Sequence, residues 1–378
     1  MRLDRGGGAM TETGRAALFF GPGKPMEITE LPVPDPEPGA VVVRITRANI
    51  CGSDLHIWRG DGVLSMMARD DGRIIGHEMT GVVHKLGDGV TTDWAGRPLA
   101  EGDRVVYQYF APCGRCRSCV RGMTEACARS FKVLQGKPSV WPHFRGAYAD
   151  YFYVTPQMAI YRVPDELTDT MVAGVNCALA QVVMGLERVQ VGLGDRVVIQ
   201  GAGGLGVYAT AVARDRGAEQ VIVVDGVADR LSLAKAMGAD SVIDMQELTT
   251  PDERVARVKE LTGGWGADVV CEFVGRAAAI TEGLRMVGVG GRYLEIGTFF
   301  VGTSLELDPG FLVMGNIRVE AVAAYDALSL QRSLGFLGRH VHDLPLDAVV
   351  VDYPLDRINE AFADQDAARV TRASLVMA

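Results

Sequence analysis

Residues 196–225 decide the fold, and they read RVVIQGAGGLGVYATAVARDRGAEQVIVVD. The stretch contains a short apolar β-type run, a glycine-rich turn, an alanine-rich helical segment and a second apolar run that ends at Asp225. A strand, a G-x-G-x-x-G turn, a helix and an acidic residue after the next strand are typical of a βαβ unit that binds a dinucleotide. An unrelated glycine turn is the alternative, but it would not require the strand, the helix and the acidic residue together.

The glycine turn predicts where the phosphates of a dinucleotide bind. Its glycines permit a tight turn and a close approach of the backbone to the pyrophosphate, and the helix N-terminus attracts the phosphate charge. We therefore assign cofactor binding to the turn residues Gly201, Gly203, Gly204, Leu205 and Gly206.

Asp225 predicts which dinucleotide is preferred. It follows Gly206 by 19 residues, at the end of the second apolar run. Its carboxylate can accept hydrogen bonds from the ribose hydroxyls of NAD and would repel the 2′-phosphate of NADP. Arg230 is near in sequence and could contact a phosphate, which is the feature that speaks for NADP. We predict NAD as the cofactor, with Asp225 and Arg230 in its site.

The rest of the chain shows two kinds of pattern. Residues 15–110 contain short β-type runs between Pro and Gly turns, which indicates a mainly β region. From about residue 178, apolar runs alternate with amphipathic segments, which indicates βαβ units and a mostly parallel sheet. Six strands would suit a doubly wound dinucleotide fold. The predicted strands are 196–199, 220–224, 241–243, 267–271, 291–296 and 317–322.

Length and charge limit the possible partners. The chain has 378 residues, enough for two domains, and its net charge of −9 repels phosphate backbones. We therefore expect a small-molecule partner and no nucleic acid. No uninterrupted apolar run reaches the roughly 18 residues that span a bilayer, and no basic segment followed by an apolar run opens the chain. We expect a cytoplasmic protein without a membrane partner, in which translation starts at Met1 or at Met10.

Four of the seven cysteines lie in one short loop, and they are Cys113, Cys116, Cys119 and Cys127. Because the cytoplasm keeps thiols reduced, this density indicates metal binding more than disulfides. Four thiolates can close a tetrahedral zinc shell without water, which makes a structural site. An iron–sulfur cluster is the alternative, but the nearest bacterial pattern has a three-residue final gap followed by Pro, and this loop has neither. The arginines within the loop are interpreted as solvated counter-charges to the thiolates.

A second set of metal-binding residue types is spread over the chain as Cys51, His77 with Glu78, and Cys177. Taken singly, each is more often a packed core residue than a metal ligand. Cys271 lies inside an apolar run and is interpreted as core packing.

The order of these motifs resembles that of the medium-chain, zinc-containing alcohol dehydrogenase family, which includes alcohol, sorbitol and threonine dehydrogenases. The similarity extends from about residue 15 to the end of the chain. It implies a Rossmann-type, doubly wound parallel sheet domain and a mainly β, barrel-like catalytic domain. We expect the catalytic domain to comprise residues 1–176 and 323–378, with the dinucleotide domain at 177–322.

The resemblance also implies the ligands of a catalytic zinc. Cys51, His77 and Cys177 would hold the metal, with Glu78 beside it as a transient fourth ligand and one position open for a substrate oxygen. Together with the four-cysteine loop, this predicts two zinc ions per chain. Arg372 matches a pyrophosphate-binding arginine of the family, whereas Gly52 stands where some members carry a phosphate-binding basic residue.

The chemistry expected at such a site is the oxidation of an alcohol or the reduction of a ketone. Zinc lowers the pKa of a bound alcohol, so that an alkoxide forms and passes hydride to NAD. Ser53 would take the hydroxyl proton and pass it to His56 and solvent, and Asp54 would orient His77. A local turn is the alternative explanation of Ser53 and Asp54. A double-bond reductase and a nonenzymatic zinc- and NAD-binding sensor are the alternative functions.

Three aromatic residues, Trp58, Tyr109 and Trp141, fall near positions that line the pocket in the family. An aromatic wall would suit a bulky or cyclic secondary alcohol, and ordinary core packing is the alternative. Members of the family usually form dimers or tetramers, so we expect a homodimer or a homotetramer.

Overall fold

The structure is a computed structural model that describes residues 12–61, 70–298, 301–302, 304–348 and 350–377. The two candidate start residues, Met1 and Met10, lie outside the described residues. In chain order, the strands are β1 (Thr13–Phe19), β2 (Glu27–Pro32), β3 (Val41–Asn49), β4 (Arg73–Ile74), β5 (Glu78–Leu86), β6 (Arg104–Tyr107), β7 (Tyr151–Val154), β8 (Ile160–Arg162), β9 (Arg196–Gln200), β10 (Gln220–Asp225), β11 (Ser241–Asp244), β12 (Ala267–Glu272), β13 (Val287–Glu295), β14 (Arg318–Ala321), β15 (Val351–Pro354) and β16 (Ala373–Val376).

The helices interleave with the strands, above all in the second half of the chain. They are α1 (Gly52–Arg59), α2 (Arg117–Val120), α3 (Asp169–Val172), α4 (Ala180–Arg188), α5 (Gly204–Asp215), α6 (Ala228–Ala236), α7 (Pro251–Leu261), α8 (Ala277–Met286), α9 (Pro309–Gly315), α10 (Ala327–His340) and α11 (Ile358–Asp366). A π-helical turn at Val175–Leu179 joins α3 to α4, and 3-10 turns lie at Ser130–Gln135 and Leu355–Arg357.

The second half of the chain forms a six-stranded parallel sheet with the strand order β11-β10-β9-β12-β13-β14. This is the order of a doubly wound dinucleotide-binding sheet, in which a ligand binds beyond the carboxyl ends of the strands where the order reverses. The predicted Rossmann-type sheet is therefore confirmed. β13 begins at Val287 rather than at residue 291, because a register shift opposite β12 lets the glycine-rich segment 287–291 join the strand.

The glycine turn lets α5 pack closely on β9. A Cβ on Gly206 would overlap the carbonyl oxygen of Gly201, so a larger residue would push the helix away from the strand. Gly201 itself has a φ of 88°, in the left-handed region that favours glycine. These two positions require glycine for the conformation of the turn as well as for ligand approach.

The remaining strands form the mainly β part of the molecule. A seven-stranded sheet has the order β15-β16-β3-β5-β6-β8, with β7 also paired to β3, and a three-stranded sheet has the order β2-β1-β4. β16 is antiparallel to β3, with Ser374 opposite Asn49. The end of the chain thus returns to the sheet that the beginning of the chain builds. The predicted mainly β region is confirmed, whereas the boundaries at 176/177 and 322/323 stay predictions.

One helical run, Asp169–Arg188, is long and apolar enough by composition to cross a membrane, and 83% of its apolar window is buried inside the protein. The sequence analysis did not find this run because polar residues such as Asn176 and Gln181 interrupt its apolar residues. A largely apolar helical run that is covered by protein belongs to the core. This core helix carries Cys177.

The two helices α7 and α8 are joined by a buried ion pair. Arg254 donates to both carboxylate oxygens of Glu282 at 2.7 Å, and the two side chains are 5% and 8% exposed. Removing one partner of such a pair leaves an unpaired buried charge.

We expect Glu282→Ala to lower the free energy of unfolding, measured in urea, by about 3–5 kcal/mol. The matched control is Glu260→Ala, which breaks the exposed pair between Arg257 and Glu260 and should lower it by less than about 1 kcal/mol. Equal losses in the two variants would contradict this account of the α7–α8 contact.

Candidate active site

Four potential metal ligands from distant parts of the chain converge on one point. One ligand atom each of Cys51, His77, Glu78 and Cys177 lies within 4.8 Å of all the others. Cys51 precedes α1, His77 and Glu78 stand at the start of β5, and Cys177 lies in the π-helical turn. The structure thus brings together the set that the sequence analysis singled out.

The two cysteines of this set are buried and in contact. A hydrogen bond from Cys177, and then one from His77, lowers the pKa of Cys51 well below its usual value although burial opposes the shift. The same contact with Cys51, together with burial, raises the pKa of Cys177. The contact therefore favours the thiolate at Cys51 and the thiol at Cys177, and a divalent cation would displace the remaining proton. Two thiols and an imidazole are a donor set that fits zinc.

Asp54 contacts the ring nitrogen Nδ1 of His77 and so fixes the orientation of the imidazole. The Nδ1 atom of His77 lies 3.3 Å from Oδ1 of the fully buried Asp54. Oδ2 of Asp54 accepts hydrogen bonds from the hydroxyl of Tyr148 at 2.7 Å and from the backbone N–H of Cys51 at 3.0 Å. Burial disfavours a charged imidazole, but the charge of Asp54 outweighs it and raises the pKa of His77 well above its usual value. This arrangement leaves Nε2 of His77 available to a metal.

Glu78 faces Arg372, and both side chains are buried. Nη1 of Arg372 lies 3.1 Å from Oε2 of Glu78. Burial raises the pKa of Glu78 to about 8, although the charge of Arg372 opposes the shift. A Cβ on Gly204 would overlap the guanidinium of Arg372. Arg372 therefore lies between the cysteine–histidine cluster and the N-terminus of α5, where the glycine turn would place a pyrophosphate.

The cluster opens into a cavity of about 380 Å³ between the two halves of the molecule. Cys51, His77 and Cys177 lie in its wall together with Ser53 and His56 of α1. Nδ1 of His56 lies 2.7 Å from Oδ2 of Asp61, a partner that the sequence analysis missed. Since the His56 side chain is 36% exposed, this residue joins the cavity to solvent.

The aromatic wall differs in part from the prediction. Tyr109 lines the cavity and so does Phe131, which the sequence analysis did not identify. Among the described residues, Trp58 and Trp141 do not line it: Trp58 packs on Phe362 with ring centroids 5.9 Å apart, and Trp141 packs on Tyr153 at 5.1 Å. On α1, Trp58 follows Ser53 by five residues, which turns its side chain away from the face that meets the cavity.

The glycine turn and Asp225 lie at the carboxyl ends of β9 and β10. Asp225 is 7% exposed, and its two oxygens accept the backbone N–H of Ala202 at 2.6 Å and of Val227 at 2.9 Å. Leu205 of the turn lines the cavity with Phe273 and Val274, which follow β12. Arg230 lies on α6, partly exposed. The cavity therefore runs from the turn to the metal-ligand cluster.

The four-cysteine loop forms a separate cluster. The Sγ atoms of Cys113, Cys116, Cys119 and Cys127 all lie within 4.8 Å of one another. The backbone N–H of Arg115 lowers the pKa of Cys113 to about 6, whereas burial raises the pKa of Cys119 to about 12. Four sulfur atoms can occupy all four positions of a tetrahedral metal site and leave none for water or substrate.

Comparison with known proteins agrees with these features. The family description "Alcohol dehydrogenase GroES-like domain" matches residues 37–165, and "Zinc-binding dehydrogenase" matches residues 204–337. A 5-exo-hydroxycamphor dehydrogenase from Pseudomonas putida is 35% identical over 340 residues, which is 89% of this chain and 91% of the relative. An L-threonine 3-dehydrogenase from Bacillus subtilis is 32% identical, over 70% of this chain and 71% of the relative.

Solved structures show the same fold. A crystal structure of an alcohol dehydrogenase from Thermotoga maritima has a TM-score of 0.88 with 26% sequence identity, and the match covers 97% of this chain and 100% of that one. The chain therefore belongs to the medium-chain, zinc-containing alcohol dehydrogenase family and is a zinc-dependent alcohol oxidoreductase.

Proposed function

We propose that this protein is an NAD-dependent alcohol dehydrogenase that transfers a hydride between NAD and a secondary alcohol, bulky or cyclic, in either direction. The observation that carries the proposal is the single cavity that has Cys51, His77 and Cys177 in one wall and the end of the glycine turn in another. A substrate in this cavity would meet both the metal ligands and the cofactor.

Cys51, His77 and Cys177 would hold the catalytic zinc, and Glu78 would stay paired with Arg372 or approach the metal transiently. When bound, zinc supplies Lewis acidity that lowers the pKa of an alcohol hydroxyl. Asp54 keeps the ring of His77 in one orientation through the 3.3 Å contact with Nδ1. The second zinc would be held by the four-cysteine loop and would stabilise the fold.

Ser53 and His56 would carry the hydroxyl proton from the cavity to solvent. The two residues are three positions apart on α1, so their side chains lie on the same face of the helix. Ser53 would accept the proton within the cavity, and His56 would pass it on because its ring is held by Asp61 and partly exposed. The position of both residues on one face of α1, at the cavity wall, thus supports a Ser53–His56 proton relay.

The relatives support a cyclic secondary alcohol as the substrate class. Hydroxycamphor, named in the Pseudomonas putida relative, is a bicyclic secondary alcohol. Tyr109 and Phe131 give the cavity two aromatic walls of the kind that bind apolar rings. The cavity lining also contains small apolar residues, among them Ala321 and Ala323.

We further propose a cytoplasmic homodimer or homotetramer. β14 is the edge strand of the parallel sheet, and it and the neighbouring α9 expose the apolar side chains of Phe311, Val313, Met314 and Val319. Pairing with a second copy would cover this edge and its apolar residues. A cytoplasmic location suits a chain whose thiols serve as metal ligands, because the cytoplasm keeps thiols reduced.

Metal analysis of the purified protein should give two zinc ions per chain. Cys51→Ser should lose one zinc and the activity while the protein remains folded, because the cavity site is open. Cys116→Ser should lose the other zinc and lower the unfolding temperature, because a closed site stabilises the fold directly. Elemental analysis, circular dichroism and NADH absorbance distinguish the two variants. The reverse pattern would exchange the two roles, and iron with a visible cluster spectrum would contradict both.

The ratio of kcat/KM for NAD to that for NADP tests the role of Asp225. Repulsion of a 2′-phosphate and lost hydrogen bonds should cost about 1–3 kcal/mol, which corresponds to about 5- to 150-fold in favour of NAD. Asp225→Ser should narrow the ratio, with Arg230 available to a phosphate. Asp229→Ser, at the exposed start of the following helix α6, is the matched control. A ratio at or below one, or a ratio unchanged by Asp225→Ser, would show that NADP is used or that Asp225 does not discriminate.

A further inference from the structure

Two glutamates lie side by side at the carboxyl edge of the parallel sheet. Glu272 ends β12 and Glu295 ends β13, and they are register partners on neighbouring strands. Side chains of register partners point to the same face of a sheet. The two carboxyl groups therefore meet where the ligand cavity begins, on the side of the reversal point away from Asp225.

Each carboxyl group holds one turn of the cavity wall. Oε1 of Glu272 accepts hydrogen bonds from the backbone N–H of Val274 at 2.6 Å and of Gly275 at 2.7 Å. Oε1 of Glu295 accepts the backbone N–H of Thr298 at 2.9 Å. The two turns, 273–275 and 296–298, contribute Phe273, Val274, Ile296, Gly297 and Thr298 to the cavity.

The turns are packed directly on each other. A Cβ on Gly275 would overlap the carbonyl oxygen of Gly297, and a Cβ on Gly297 would overlap Oε2 of Glu272. Within the described residues, the Oε2 atoms of Glu272 and Glu295 are both buried without a hydrogen-bond partner. Two unpartnered carboxyl oxygens on neighbouring strands can satisfy each other if the pair keeps one proton.

The surroundings favour that proton. Burial, and then the charge of Glu295, raises the pKa of Glu272 to about 8. On the same face of β13, burial and the two glutamates raise the pKa of Tyr293, so this hydroxyl stays neutral. Gln200, the register partner of Glu272 on β9, carries no charge. Cys271 is kept neutral by burial, which raises its pKa.

The charged residues of the adjacent elements are already paired or exposed. On α8, Glu282 is held by Arg254, and on β14, Glu320 is held by Arg188. Arg276, at the start of α8, is exposed. Two carboxylates in such a place cannot both ionise without strong repulsion, so the charge of Glu295 favours a proton on Glu272.

We propose that Glu272 and Glu295 form a proton-sharing latch that positions the turns 273–275 and 296–298 as the wall for the nicotinamide half of the cofactor. The inference rests on the proposed use of NAD. With one proton, an O–H···O⁻ hydrogen bond ties the two turns together. When that proton leaves, the two carboxylates repel, the turns separate and the cofactor binds more weakly. Both glutamates are positioning residues that act through the turns.

The test is the pH dependence of NADH binding to the zinc-loaded protein, measured by NADH fluorescence between about pH 6 and about pH 10. For the wild type, Kd should be constant up to about pH 8 and then rise by up to about tenfold per pH unit, because binding requires the one proton that is lost. Glu295→Gln places a permanent N–H donor opposite Glu272 and should keep tight binding across the range. Glu295→Ala should bind weakly at every pH.

The controls separate the latch from other titrating groups. Glu320→Gln removes the same charge from the next strand and should retain the wild-type profile. Adenosine 5′-monophosphate, which lacks the nicotinamide half, should bind to all variants with one common pH profile. Circular dichroism reports whether Glu295→Gln folds, and Glu272→Gln provides the same donor from the other strand if it does not.

Parallel profiles of NADH binding for the wild type and a folded glutamine variant would overturn the latch. A failure of NADH to bind to any variant at any pH would instead overturn the proposed cofactor. The two failures are therefore distinguishable.

Discussion

The contact between the buried Cys51 and Cys177 and the half-buried His77 is the constraint on which the rest of the structure depends. Groups that carry or share charge are costly to bury without partners, yet these three have to leave bulk water to face a cavity. The protein meets that requirement by giving each of these residues a hydrogen-bond or contact partner. His77 is held by Asp54, and Asp54 in turn by Tyr148. The contact between the two cysteines lowers the pKa of Cys51, which favours its thiolate.

Further hydrogen bonds fix the segment that leads into Cys177. Asn176, next to Cys177, accepts the backbone N–H of Met79 at 3.1 Å and donates to the carbonyl of Tyr107 at 3.1 Å. The hydroxyl of Tyr325 donates to the carbonyl of Asn176. Arg372 reaches Glu78 from the C-terminal strand pair and lies against the start of α5. Hydrogen bonds therefore fix the metal-ligand cluster on the mainly β part of the molecule, and Arg372 places it next to the glycine turn at the start of α5.

The sequence predicted the features that are local in the chain. The glycine turn, Asp225 and the four-cysteine loop have short spacings whose chemistry is readable residue by residue. Taken singly, Cys51, His77 and Cys177 gave only weak evidence of metal binding. The order of the motifs along the chain, which resembles that of the family, made their assignment as ligands specific. Properties that depend on which side chains meet in space were missed or wrong. Phe131 lines the cavity from a 3-10 turn, whereas Trp58 and Trp141 pack elsewhere. The Glu272–Glu295 pair becomes visible only when the register of the neighbouring strands β12 and β13 is known.

A single-turnover experiment tests the central claim that the cysteine–histidine cluster and the dinucleotide site act on one substrate in one cavity. Zinc-loaded protein is mixed with NAD and a bicyclic secondary alcohol, such as borneol, carrying hydrogen or deuterium on the carbinol carbon, and NADH absorbance is followed. The account predicts that NADH forms only in the zinc-loaded protein and forms more slowly from the deuterated alcohol. Absence of NADH with borneol and with a panel of other secondary alcohols, or NADH formation that is independent of zinc, would contradict it.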